Sequence, residues 1–175
     1  MINTQYKIDC SDWFDEGGSC QVYPIKNYTK LLFKEFRSKK NALESFCIHK
    51  KLAKFDLASK VYSEVCKLNF SQEEDVLFDQ ISNWGYITEK AKVYDKVPLD
   101  QIQSLVEKIY NKTGLNFWDC HYYNVGFVRR SQKFKLVCID TGKESFLRDS
   151  NAWGFNFPGP KCNYCDQYQC KCTED

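Results

Sequence analysis

Two segments of helical periodicity, set among segments that alternate, constrain this chain more than any other feature. In residues 39–55, Glu44, Ile48, Leu52 and Phe55 recur at three- and four-residue spacing with lysines on the far side. That is the stripe of a helix laid on a core. Pro98 opens the second helix, where Leu99, Ile102, Val106 and Ile109 share a face and Gly114 stands where a C-cap belongs. Before the first helix, "CQVYPI" and "KLLFKEF" read as a hairpin turning near Lys26-Asn27. Between the helices, "KVYSEVCKLNF" (60–70) and "WGYITEKAKVY" (84–94) alternate apolar and polar residues as strands do, with an acidic stretch at 72–75 between them. After the second helix, "NVGFVRR" and "KFKLVCID" form another hairpin, turning at Ser131-Gln132. The order is β-β-α-β-β-α-β-β and then a tail, with a break at "FNFPGP". This predicts an α+β fold: an antiparallel sheet with one inserted helix in the first half, then a helix and a β-hairpin, and a short tail over 146–175.

A length of 175 residues fits one compact domain with a small appendage, and 43% hydrophobic residues suffice for a core, which argues against wholesale disorder. The net charge of +2 gives no global case for nucleic acid or an anionic membrane. Local basic clusters at Arg37-Ser38-Lys39-Lys40, Lys50-Lys51 and Arg129-Arg130 read as solvated helix faces and a hairpin tip. The N-terminal residues carry no apolar signal core and no window approaches a membrane span, so the expectation is a cytoplasmic protein with no membrane partner. Six of the ten cysteines (Cys10, Cys20, Cys47, Cys66, Cys120 and Cys138) are scattered singly, several in apolar runs, as free thiols are in a reducing compartment.

The chemistry-bearing residues cluster late. "WDCHYYN" (118–124) and "CIDTG" (138–142) bring Asp119, Asn124 and Asp140 within 22 positions. Each alone is an ordinary turn or cap residue. Together they are what phosphoryl transfer asks of a protein: a carboxylate for the acceptor hydroxyl and oxygen ligands for magnesium.

With the segments upstream of them, these motifs resemble the protein-kinase-like fold. The catalytic segment is closest to the aminoglycoside-phosphotransferase and RIO-type kinase branches. "DEGGSCQVY" (15–23) is similar to the glycine-rich loop, with Gly17 at its usual position and Asp15 and Cys20 in place of two other glycines. Lys34 in "LLFKEF" stands where the strand lysine would, and Glu44 where its helix partner would, ten residues on. "DCHYYN" keeps the Asp-x-His-x-x-Asn pattern, and Asp140-Thr141-Gly142 stands where Asp-Phe-Gly would. Phe117 replaces the usual His or Tyr two residues before the catalytic Asp, and no helical substrate lobe follows Asp140 in this sequence. The likeness covers about residues 13–145 and implies a compact kinase-like domain over 1–145, with an N-lobe of about 1–94 and a reduced C-lobe of about 95–145. It implies that Asp119 acts on the acceptor hydroxyl and that Asn124 and Asp140 hold magnesium. Lys34, held by Glu44, would meet the ATP phosphates; Gly17, Gly18 and Ser19 would cover them; and residues 89–94 would form the hinge at the adenine.

The tail "CNYCDQYQCKC" supplies Cys162, Cys165, Cys170 and Cys172, four thiolates close enough in sequence to close a tetrahedral zinc site that staples a segment with little core of its own. An iron–sulfur cluster or disulfides are the alternatives. Trp153, Phe155, Tyr164 and Tyr168 could dock this knuckle on the body or stack on RNA bases.

Two functions compete. One is an ATP- and magnesium-dependent phosphotransferase acting on a hydroxyl of a protein or small molecule. The other is a kinase-like body without catalysis that engages a partner protein through the zinc tail. An RNA-binding zinc protein is a weaker third.

Overall fold

In the computed structural model, which describes residues 2–9, 15–16, 20–70 and 84–146, one sheet is built from β1 (Ile2–Ile8), β2 (Asp15–Glu16), β3 (Cys20–Ile25), β4 (Tyr28–Phe36), β5 (Cys66–Phe70) and β6 (Trp84–Glu89). Its strand order is β1-β5-β6-β4-β3-β2. The β3–β4 hairpin turns at Asn27, whose φ of +69° suits an asparagine. β4 then lies between β3 and β6, and its side chains are buried from Leu32 to Phe36. Gly85 makes the β4–β6 pairing possible, because a Cβ there would stand 1.9 Å from the Lys34 carbonyl oxygen.

Helix α1 (Lys39–Ala53) is inserted between β4 and β5. Ser38 caps it, its Oγ accepting from the Asn41 amide at 3.2 Å. Helix α2 (Leu99–Thr113) follows β6, opened by Pro98 and ended by Gly114 at φ +69°, whose N–H donates to the Tyr110 carbonyl at 2.8 Å. Its buried stripe is Ile102, Leu105, Val106 and Ile109. Strands β7 (Val125–Arg130) and β8 (Lys133–Cys138) pair as the second hairpin, turning at Ser131. The main core joins Leu52 of α1, Ile102, Val106 and Ile109 of α2, Val125 of β7, and Phe117 stacked on Phe146 with ring centroids 5.0 Å apart. No helix among the described residues is long and apolar enough to cross a membrane.

The fold is α+β, with the expected antiparallel sheet and two helices. The expected order did not include β1, which runs parallel to β5 and also meets β3 at Ile8–Ile25, so one strand touches both ends of the pairing chain β5-β6-β4-β3 and the sheet curls. Three expectations are corrected. The strand expected over 60–70 covers only 66–70. Ahead of it, Ala58 bridges Cys138 and Val61 bridges Thr88, so this stretch crosses to the second hairpin before joining the sheet. The strand expected over 84–94 stops at Glu89, because Lys92 exchanges backbone hydrogen bonds with Phe127 instead. Finally, the buried face of α1 is Ala42, Ser45, Phe46, His49 and Leu52, while Phe55 lies past the helix and is exposed.

The end of β6 is tied to the second hairpin by charge. The Arg130 guanidinium makes two 2.8 Å hydrogen bonds to the Glu89 carboxylate and a third to Asp56, which also takes Lys135 at 2.8 Å. Burial pushes the Asp56 carboxyl up, but Lys135 and Arg130 outweigh it and hold the group below its ordinary range.

Candidate active site

A cleft of about 930 Å³ opens between the sheet and the second hairpin. Strand alternation explains its upper wall. Leu32, Lys34 and Phe36 are two apart on β4, so they share a face, as Cys20 and Val22 do on β3. Lys34 sits opposite Val22 on one side and Tyr86 on the other. It is 5% exposed, and its Nζ donates to the Ile139 carbonyl at 2.9 Å. Burial opposes its charge, but Cys20, Tyr86, Asp140 and Cys138 outweigh that and hold the ammonium above the ordinary lysine value.

The lower wall is made by the 3₁₀ turn Tyr122–Asn124 and by the residues after β8. The backbone locks Asn124 beside Asp140: the N–H groups of Ile139 and Asp140 both donate to the Asn124 carbonyl, at 3.0 and 3.3 Å. The Asn124 side-chain nitrogen donates to the Asp119 carbonyl at 2.9 Å and to Asp119 Oδ2 at 3.0 Å. Two acceptors on the nitrogen fix the amide's orientation and leave Asn124 Oδ1 available to a cation. His121 Nε2 is 3.0 Å from the same nitrogen and 3.5 Å from Asp119 Oδ1. Asp140 Oδ1 accepts from the Gly142 N–H at 2.9 Å, and Oδ2 from Ser145 Oγ at 2.7 Å.

Sixteen positions separate Asn124 from Asp140, and the β7–β8 hairpin closes that gap. Asp119, Asn124, Asp140, Lys34 and Glu44 all line one cleft. No family model matches this chain, and no curated protein does. The case for its chemistry therefore rests on the cleft itself.

The expected pairing of Lys34 with Glu44 is not made. Glu44 pairs with Lys143 at 3.4 Å, at the mouth, while Lys34 turns down to Ile139. Gly17, Gly18 and Ser19, expected over the phosphates, lie outside the described residues, as do Cys162, Cys165, Cys170 and Cys172 of the expected zinc site. Among the described residues, no group of three or more His, Cys, Asp or Glu side chains is placed to hold a metal. Two oxygen ligands, Asn124 Oδ1 and the Asp140 carboxylate, nonetheless suit magnesium, which is commonly held by one or two protein groups together with substrate phosphates and water.

Sequence reasoning missed a cluster behind the site. Ser45 and His49 of α1, Tyr86 of β6 and Thr141 are all buried to within 1% of full cover. The Tyr86 hydroxyl is 2.9 Å from Ser45 Oγ, 3.0 Å from Thr141 Oγ1 and 3.2 Å from His49 Nδ1. Burial, and then the charge of Lys34, depress the His49 pKa to about 3, against the hydrogen bond to Ser59. The signal was present: Ser45 and His49 recur four residues apart, on the same face as Ala42 and Phe46.

Proposed function

We propose that the chain is a small phosphotransferase of kinase-like fold that moves the γ-phosphoryl group of ATP, with magnesium, to a hydroxyl of a protein or small molecule. The observation that carries this reading is that Lys34, Asp119, Asn124 and Asp140 line a single cleft with an apolar inner end. Val22 and Leu32 above, Ala91 and Val93 at the back and Ile139 below offer a slot of the right character for a flat base. The Ala91 N–H and carbonyl make no hydrogen bond among the described residues, so they are free to pair with a base edge.

The roles follow from position. The Lys34 ammonium meets the phosphates as a fixed cation in a buried setting, where it is worth more than in water. Asn124 Oδ1 and the Asp140 carboxylate would hold magnesium, which would supply charge neutralisation on the phosphate oxygens. Asp119 takes the proton of the acceptor hydroxyl as its oxygen bonds to the γ-phosphorus and the bond to the ADP oxygen breaks. His121 and Asn124 flank that carboxylate and orient it.

One observation favours a second reading. Both Asp140 oxygens already accept hydrogen bonds, and Glu44 is paired away from Lys34. A kinase-like body that binds a partner protein without transfer, helped by its cysteine tail, would have this form. Incubation with γ-labelled ATP and magnesium separates the two. Wild type is expected to release or transfer label, to itself, to protein mixtures or to small hydroxyl compounds. Asp119→Asn, which keeps an acceptor for Asn124 but no base, is expected to do so at least ~10²-fold more slowly. Equal rates in both proteins would remove Asp119 from the chemistry, and no label movement in either would favour the binding module.

A further inference from the structure

We propose that the buried cluster of Ser45, His49, Tyr86 and Thr141 sets the position of Asp140, in place of an ion pair between Lys34 and Glu44, and that Thr141 is the positioning residue through which α1 acts on the metal-binding carboxylate. This rests on the reading of Asp140 as a magnesium ligand.

At least one arrangement of protons satisfies the whole cluster. His49 Nε2 is 2.8 Å from the Ser59 carbonyl, which can only accept, so Nε2 carries the proton and Nδ1 is an acceptor. The Tyr86 hydroxyl, 3.2 Å from Nδ1, then donates to it. The Tyr86 oxygen is left to accept from Thr141 Oγ1 at 3.0 Å, and Thr141 from Ser45 Oγ at 3.0 Å. Every hydroxyl in the chain from Ser45 to Thr141 to Tyr86 finds an acceptor for its proton. A fully satisfied buried network fixes one arrangement of the segments it joins, whereas removal of one member strands its neighbours.

Those segments are the ones that matter for Asp140. Thr141 is its chain neighbour. The next residues carry both of its hydrogen-bond donors, the Gly142 N–H and the Ser145 hydroxyl. Thr141 is therefore the point where the strap over Asp140, residues 140–145, is pinned to α1 and β6. An ion pair from α1 to Lys34 would serve the same end by another route, and here Glu44 is engaged with Lys143, half-exposed at the mouth. Thr141 is fully buried, which a side chain serving only as a turn residue does not require.

Thr141→Val keeps the shape and removes the hydroxyl, and Thr141→Ser keeps the hydroxyl. Two readouts are taken on the full chain. The first is amide hydrogen exchange at residues 140–146, which needs no ligand. Thr141→Val is expected to speed it, and Thr141→Ser and Glu44→Gln to leave it as in wild type. The second is the magnesium concentration that gives half-maximal binding of ATP. Thr141→Val is expected to raise it about tenfold, the usual scale for loss of a group that orients a metal ligand, with the other two variants within about twofold of wild type. Should Thr141→Val fail to fold, Ser45→Ala removes the direct link from α1 to Thr141. Unchanged exchange in the variant that lacks the hydroxyl overturns the coupling. Faster exchange with an unchanged magnesium requirement overturns its bearing on Asp140 and leaves a purely structural network. A wild-type protein that shows no magnesium-dependent ATP binding overturns the parent reading instead, and the exchange data distinguish that case.

Discussion

Lys34→Met is expected to leave the protein folded and to weaken ATP binding by about ten- to a hundredfold. A hydrogen bond from a charged donor is worth about 1.5–3 kcal/mol, and each ~1.4 kcal/mol is a factor of ten in affinity. The lysine lies buried in the cleft wall with one hydrogen bond, to the Ile139 carbonyl. Methionine has nearly the same length and fills the same channel beneath β4. Asp140, the anion nearest in chemistry, keeps the Gly142 N–H and Ser145 hydroxyl when the lysine is gone. Removal of one member of a fully buried ion pair is costly, but Asp140 is only partly buried and keeps its own two donors, so relief of the ammonium's desolvation offsets much of the lost attraction. The two effects therefore separate: a large loss in binding by titration calorimetry, with a change of no more than ~1–2 kcal/mol in urea denaturation. Unchanged ATP affinity would place the phosphates elsewhere.

The second large effect is on acid stability. His49 is fully buried and neutral, with its pKa lowered from 6.5 to about 3 by burial first and by the Lys34 charge second. Between these two values the unfolded chain binds a proton that the folded chain does not. His49 therefore lends its full stability above about pH 6.5, and that stability declines as pH falls toward 3, at up to ~1.4 kcal/mol per pH unit. Two units of acidification, from pH 6.5 to 4.5, remove roughly 2 kcal/mol from this residue alone. His49→Gln cannot titrate. It is expected to be less stable than wild type at pH 7 but to lose less between pH 7 and 4.5. Carboxylates such as Asp56 contribute to both proteins and cancel in the comparison. Urea denaturation at the two pH values measures it, and an equal acid loss in both proteins would contradict a neutral buried imidazole.

The elements legible in the sequence were those whose local signals agreed. α2 had an apolar stripe, a proline before it and a glycine after it, and both its ends lie where those residues put them. The second hairpin was legible because alternation and a polar turn coincided at Ser131. β1 was passed over. Ile2, Tyr6 and Ile8 alternate, but so thinly that only their partners, β5 on one side and Ile25 on the other, make a strand of them. The alternation over 60–70 reads as one strand, yet only 66–70 forms it, because Ala58 and Val61 ahead of it bridge to Cys138 and Thr88, contacts with no local signature.

The site divides in the same way. Asp119, Asn124 and Asp140 were legible because short motifs carry them and a hairpin of predictable length joins them. Glu44 was expected to reach Lys34 from its place on an apolar stripe. The true stripe is one position round the helix, and it presents Ser45 rather than Glu44 to the interior. Of the buried cluster, only Ser45 and His49 have a periodic signature, on α1; Tyr86 and Thr141 join them only when α1, β6 and the end of β8 are packed together.

The central claim is that the cleft beneath β4 binds ATP through magnesium. Calorimetric titration of the full chain with ATP, first with excess magnesium and then with the metal chelated, tests it most directly. The account predicts saturable binding with magnesium and binding at least about tenfold weaker without it, the loss expected when phosphate charge is left unneutralised beside Asp140. Binding of equal strength in both conditions, or none in either, would contradict it.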